Sequence, residues 1–579
     1  MEDVPIPNDS EPPTSSAGGR APSRQVSNIS LPNKKSGLFG TVSNMLNSIV
    51  GAGIVGIPYA LANSGLVVGI LLFVLVAYLT DQSTRMIVDL ASFHPKLKHL
   101  GVYTYEDLAR IPFGRLGHVF VMGGMLVLAY GAMVSYLLII KDTVPTILNI
   151  SDAGKGSFME RDFVMIVTSL FIVLPLSLLR DLANLKYTSF LSVAADIVMV
   201  IFVVIFSPIP SSMDEAGGFG TVLKDNWVNS RVFIGFGVMS FALTVQHSAI
   251  LVGNSFKDKT PERWSLVTFR AVTTASILCL TMGVFGFLGF LDDTKGNILN
   301  NFDSDSVMAN VGRGMLAVTM FFTYPMEAYV ARHVIVQIFY NGDMDGHTTG
   351  PNSEVVELPK LFGVLGRREQ VTIGLYLASL VPAVIVNDLG PVLSITGSLG
   401  ASIVAYVACG MIYLGINGED FLQYCKEMLQ NHGYKADKTP KPSEVELPVV
   451  GDATATMSTQ EGSNGTASSK DGVVTDTLPQ LPSGIKPWWW YVALFPIWTK
   501  IATRGAIGTR NFLSQMEGGE PTHEVDLNED DENTNVVVGP SKKGYYIAMF
   551  LIAFGAFASV AGVISNIYVQ VHDVFFTPT

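Results

Sequence analysis

The sequence predicts an all-α polytopic membrane protein of about eleven transmembrane helices. Three observations lead there. Of 579 residues, 49% are apolar and only 15% charged, with a mean hydropathy of +0.38. The apolar residues gather into runs of roughly 20, the length that crosses a bilayer core. Two of those runs are interrupted near their middles by glycine, the residue that costs about 1 kcal/mol relative to Ala inside a helix.

Residues 1–36 contain Pro, Ser, Asn, Arg and Lys but no apolar run. They lack the core of a signal peptide, and their composition cannot bury enough surface to offset chain entropy, so a disordered cytosolic tail is expected. The first span, residues 41–60, reads TVSNMLNSIVGAGIVGIPYA and is interrupted by Gly51-Ala52-Gly53. Two readings fit these residues by themselves. The helix opens here and its freed amides and carbonyls meet a ligand, an ion or a neighbouring helix, or the small residues form a face for close helix approach. Asn44 and Asn47, three apart, share one face of this helix, where buried amides need an ion, a substrate or another helix as partner.

Further apolar segments cover residues 66–80, 118–140, 163–179, 188–206, 232–253, 267–291, 314–340, 371–386, 392–416 and 544–570. The sixth span, VFIGFGVMSFALTVQHSAILVG, carries glycines and Ser240, with Gln246 and His247 just after its expected break. His247 is either a hydrogen-bonded packing residue or a proton relay. The eighth holds FFTYPMEAYVAR, in which Pro325, between Thr323 and Glu327, removes a backbone donor and frees a carbonyl nearby. Hydroxyl, carbonyl and carboxylate together suit a cation; the other reading pairs Glu327 with Arg332 as a tie between helices. Asp196, and Asp388 near a span edge, complete the ionisable groups in or beside the membrane, each a functional candidate because of its cost there.

Interruptions in the first and sixth spans are the pattern of two five-helix halves inserted in opposite senses, here residues 37–207 and 231–416 of a ten-helix core at 37–416. The eleventh span, 544–570, is then peripheral. Lys34, Lys35, Arg85, Lys96, Lys98, Arg110, Arg367 and Arg368 fall on the face of the N-terminus, which the positive-inside bias makes cytosolic. An odd number of spans leaves a short non-cytosolic tail at 571–579, and puts the Asn149-Ile150-Ser151 sequon on the outer face.

Residues 417–543 form a long acidic Gly/Ser/Thr-rich insertion, expected to be mostly disordered. Within it, residues 487–500 contain Trp488-Trp489-Trp490-Tyr491 between Lys486 and Lys500. The stretch is too short for a normal span and suits an interfacial segment. A formal net charge of −12 argues against a nucleic-acid partner. Cys279, Cys409 and Cys425 fit neither a zinc site nor a disulfide framework and are expected to pack. No clustered catalytic motif appears, so an enzyme is not expected, and no cofactor beyond a coupling ion.

Four stretches in order, SNMLNSIVGAGIVGIPYALANSG, TYEDLARIPFGRLG, FGVMSFALTVQHSAILVGNS and TYPMEAYVARHVI, resemble the amino acid/auxin permease superfamily. More closely they resemble the sodium-coupled neutral amino acid transporters, in particular their less characterised branch. The resemblance spans residues 36–416 and the last span. It implies a five-plus-five inverted-repeat, LeuT-like transporter core and secondary active transport of amino acids. It further implies that Gly51, Ala52 and Gly53 offer backbone to the substrate carboxylate, and that Ser240, Phe241 and Ala242 line the side-chain pocket. Asn47 and Thr323, with the carbonyl of Val50, match the family's sodium ligands, while Glu327 and His247 are the candidates for coupling to H+ instead of Na+. The acidic insertion and an outer loop without cysteines depart from the family pattern.

The expected partners are a neutral amino acid and membrane lipid, in the plasma membrane or a vacuolar or lysosomal one. A regulatory kinase or signalling partner is expected at the N-tail, where Arg24-Gln25-Val26-Ser27 offers a phosphorylation site, or at the insertion. The rival function class is an amino acid sensor that signals through its cytosolic tails.

Overall fold

The computed structural model describes residues 36–148, 158–179, 186–340, 342–343, 347–349, 355–357, 366–431, 489–517 and 538–576. The expected disordered N-tail, apart from Ser36, the Asn149 sequon and residues 432–488 and 518–537 of the insertion lie outside the described residues.

Every one of the eleven apolar segments falls on helix. The first comprises α1 (Leu38–Ile49), a 3-10 turn (Ala52–Gly56) and α2 (Ile57–Ser64), bent by 50° at the glycines. Pro58 stands in the first turn of α2, where its missing N–H costs nothing, and Gly65 turns the chain with φ 81°. After α3 (Leu66–Phe93), Thr104 caps α4 (Tyr105–Ile147) by accepting the Asp107 N–H. Gly114, at φ 59°, kinks α4 after its first turns. The fourth segment is α5 (Phe158–Thr168), a π-helical stretch (Ser169–Val173) and α6 (Leu174–Leu178); α7 (Lys186–Phe206) ends the first half.

Two short helices, α8 (Ile209–Glu215) and α9 (Phe219–Asp225), lead to α10 (Val232–Leu243) and α11 (Gln246–Asn254), the interrupted sixth segment. Then follow α12 (Pro261–Phe290), α13 (Val307–Tyr340) and α14 (Arg367–Ile385). An antiparallel pair of short strands, His347–Thr349 with Val355–Glu357, stands in the loop between the last two. The tenth segment is α15 (Leu389–Thr396), a π-helical stretch (Gly397–Val407) and α16 (Ala408–Ile416).

Among the described residues, seven helices or nearly continuous helix pairs are by themselves long and apolar enough to cross a membrane, and nine if two sharply bent pairs each count as one. The interior is built from α4, α10–α11 and α15–α16, whose apolar windows are 78% buried, whereas only 22% of the α5–α6 window is. The last two of these meet backbone to backbone, since a Cβ on Gly237 would strike the Ser394 carbonyl and one on Gly397 the Gly237 carbonyl. All three cysteines are free and buried.

The insertion holds two described helices, α17 (Gly418–Asn431) and α18 (Trp489–Glu517), before α19 (Lys542–Phe576). At 29 residues, α18 runs well beyond the interfacial stretch expected at 487–500. Its contacts explain the difference. Gly505 lies against Gly415 and Gly508 against Pro112, so α18 packs on α16 and α4 through small residues that a hydropathy window scores as neutral. Arg510 then joins Glu419 of α17 at 2.6 Å.

Candidate functional site

The site is built on the interruption after α1. Val50 leaves helical geometry at φ −83°, ψ 100°, yet its N–H still reaches the Leu46 carbonyl at 2.8 Å. Gly51 is extended, at φ −136°, ψ −146°, and the 3-10 turn then begins. The N–H groups of Ala52 and Gly53 open that turn, ahead of the bond from the Ile54 N–H to the Gly51 carbonyl at 3.2 Å, so the turn offers them no acceptor. Gly53 must be glycine, because a Cβ there would stand 2.5 Å from both the Cα and the Cβ of Ala242 on α10. The first interrupted helix therefore touches the sixth at backbone distance, close to the break in each.

The second interruption lies at Thr244 and Val245, between α10 and α11. Its freed groups are taken up locally. The Gln246 side chain accepts the Val245 N–H at 2.9 Å and donates to Ser83 Oγ of α3 at 2.9 Å. Thr244 Oγ1 donates back to the Ser240 carbonyl at 2.5 Å. Of the expected pocket wall, Ala242 abuts Gly53, Ser240 Oγ lies 3.3 Å from the Tyr406 hydroxyl, and Phe241 is half-buried.

Polar groups near the first interruption lack partners. Asn47 and Glu327, both half-buried, form no side-chain hydrogen bond or ion pair among the described residues. Glu327 lies within electrostatic reach of Tyr136, whose hydroxyl is 3.8 Å from the place a Cβ on Gly51 would occupy. Tyr136, which carried no signal in the sequence, thus links the carboxylate to the break. The alternative tie to Arg332 is not formed: that guanidinium donates to Thr372 Oγ1 at 2.8 Å and stacks over Tyr329. His247 keeps its buried Nδ1 without a hydrogen-bond partner.

The expected sodium ligands come from two helices that share a neighbour. Thr323 Oγ1 donates to the Thr319 carbonyl at 2.8 Å, which leaves its oxygen able to accept or ligate. Asn47 and the buried Val50 belong to α1 and the residue that ends it, and α1 shares no extensive contact with α13. Instead α7 packs against both helices.

Two further ties were not legible as pairs. Lys141, near the end of α4, is buried and caps the end of α14. It donates to the carbonyls of Ala383, Val384 and Val386 and to Asn387 Oδ1, and pairs with Asp162 at 2.6 Å. At the other end, Glu106 of TYEDLARIPFGRLG meets His333 of TYPMEAYVARHVI at 3.1 Å, joining α4 to α13. Burial pushes the Asp388 carboxyl above its ordinary range, against the pull of the backbone amides it caps at the start of α15. It pushes His94, bonded to Asn417 at 3.0 Å, below the usual histidine value.

A helical membrane protein with two opened helices in backbone contact, and polar side chains unpartnered among the described residues beside both openings, has the architecture of a carrier that binds a small polar solute within the bilayer. Residues 34–431 match the family model described as transmembrane amino acid transporter protein, and the chain belongs to that family. A relative from Danio rerio that bears the name sodium-coupled neutral amino acid transporter 11 is 30% identical over 65% of this chain and 78% of its own length. Vacuolar amino acid transporter 2 of Saccharomyces cerevisiae is 28% identical, covering 65% and 75%. Vacuolar amino acid transporter 5 of Schizosaccharomyces pombe is 26% identical, covering 66% and 84%. Among solved structures, the inward-facing conformation of Mhp1 aligns with a TM-score of 0.41 at 12% identity, over 64% of this chain and 77% of that one.

Proposed function

We propose that this chain is a secondary active transporter of neutral amino acids that works by alternating access and is coupled to Na+ or H+. The observation that supports the reading is the contact of Gly53 with Ala242 of α10, beside the N–H groups of Ala52 and Gly53 to which the turn itself offers no acceptor. A substrate carboxylate fits those amides, favoured by the positive end of the following helix. Ser240, Phe241 and Ala242 face the substrate side chain. Sodium would be held by oxygens of Asn47, Val50 and Thr323, a proton by Glu327 or His247.

The same reading counts eleven membrane crossings by including α13 and α14, with the two halves related by an inverted repeat and the N-terminus in the cytosol. The names of the yeast relatives support a vacuolar or lysosomal membrane. One cation suffices energetically. A charge moved through 100 mV is worth about 2.3 kcal/mol and each ~1.4 kcal/mol is tenfold, so roughly 40-fold accumulation is within reach from voltage alone.

The test is uptake of labelled neutral amino acids into proteoliposomes holding the full chain, with sodium and proton gradients imposed separately. Accumulation under one of them is expected. Binding without uptake under either would replace the carrier with a sensor.

A further inference from the structure

Asp196 is the central residue of α7, about 15 Å from either end of that helix, and is 1% exposed. Its buried Oδ2 has no hydrogen-bond partner, and no ion pair to it is formed among the described residues. The helices packed on α7 are α1, α12 and α13. None brings a positive charge to it. No titratable side chain is present on α1. On α12, the Cys279 thiol is within electrostatic reach, and one turn earlier Ser276 has a second buried hydroxyl without a partner.

The charged groups of α13 are engaged elsewhere. Arg313 donates to the carbonyls of Leu299 and Phe302, Arg332 to Thr372, and His333 meets Glu106, while Glu327 lies toward Tyr136. The Tyr324 hydroxyl is bonded to Ser379. Asp196 therefore stands in a membrane interior with no counter-charge, and among the described residues no group of three His, Cys, Asp or Glu side chains is placed to hold a metal cation, which asks for several hard ligands. A proton is the ligand that fits.

Its place in the fold gives the proton a consequence. Of the helices around α7, two bear the expected sodium ligands, Asn47 on α1 and Thr323 on α13. Ser192 and Ala195, beside Asp196 on α7, line a crevice of about 310 Å³ against α13 that also touches Thr319, the residue whose carbonyl binds Thr323.

We propose that Asp196 is a proton-binding site of the transport cycle, protonated when α7 is packed as seen here and released when α7 moves against α1 and α13. The carboxylate takes one proton from water on one side and returns it to water on the other, with no other bond changed. This inference rests on the transporter reading.

The test compares wild type with Asp196→Asn in proteoliposomes by two assays, amino acid exchange without a gradient and accumulation driven by an imposed pH gradient. The isosteric amide is expected to keep exchange within about twofold while losing at least ~tenfold of the pH-driven accumulation, an effect of one pKa unit or more. Unchanged pH-driven accumulation in the variant overturns the proposal, as does a wild type that exchanges but ignores the pH gradient. A wild type that does not exchange removes the transporter reading instead. Should the variant not fold, wild type treated with dicyclohexylcarbodiimide, which attacks protonated carboxyls in apolar surroundings, decides. Mass spectrometry is expected to find label on Asp196 that falls as pH rises, and labelling that is absent or independent of pH overturns the proposal.

Discussion

The two interruptions of this protein look alike in sequence and differ in what fills them. At Thr244 and Val245 the chain supplies its own partners: Gln246 takes the freed Val245 N–H and fastens the break to Ser83 of α3. At Gly51 to Gly53 no such side chain steps in among the described residues, and there the polar groups nearby, Asn47 and Glu327, have no bonded partners themselves. Glycine alone does not distinguish a binding site from a locked hinge. The distinction lies in whether the protein satisfies its own freed backbone or leaves that to a ligand.

The contact between the two breaks is where the comparison is easiest to destroy. Gly53→Ala puts a methyl against the Ala242 backbone, and overpacking of this kind costs about 1–3 kcal/mol and forces the two elements apart. Uptake is expected to fall by roughly 100-fold, since the displaced amides are those proposed to bind substrate. Adding Ala242→Gly should not restore it, because the Ala242 Cα is as close as its Cβ. Restoration by the double variant would mean that a side-chain clash, not backbone proximity, sets the site.

An intermediate effect is expected at the locked break. Gln246→Leu strands the buried Val245 N–H, at a cost of about 1–3 kcal/mol. Thermal unfolding in detergent should shift downward accordingly. In Gln246→Glu the buried side chain stays protonated, its carbonyl oxygen accepts that N–H and its O–H donates to Ser83 Oγ, so stability should largely return below the pH at which the carboxyl ionises. A leucine variant as stable as wild type would show the second break to be no more self-satisfied than the first.

Much of this was readable from the chain because it rests on local chemistry. Gly51-Ala52-Gly53 marks the break, whereas the start of α4 at Tyr105, capped by Thr104, lies well before the apolar segment expected at 118–140. Runs of apolar residues placed each of the eleven segments on helix. The partners were not readable, because they lie far away in sequence. Gln246 gives no sign of reaching Ser83, nor Lys141 of capping the carbonyls of α14, nor Tyr136 of standing beside Gly51. The extent of α18 was hidden for a different reason, since its packing relies on Gly505 and Gly508, small residues that add little hydropathy. For the proposed sodium ligands, the family resemblance gave Asn47 and Thr323, but only the packing reveals that α7 lies against both helices that carry them.

The smallest effect on stability is expected at Glu327, and it sharpens the contrast most finely. Glu327→Gln removes a charge that has no bonded partner among the described residues, so unfolding should not shift to lower temperature. The carboxylate nevertheless faces Tyr136 at the open break. Its loss should therefore appear in the dependence of uptake on Na+ and pH rather than in the melting curve. A clear fall in stability with ion dependence unchanged would make Glu327 a structural tie of the Gln246 kind, and the first interruption would then be as self-contained as the second.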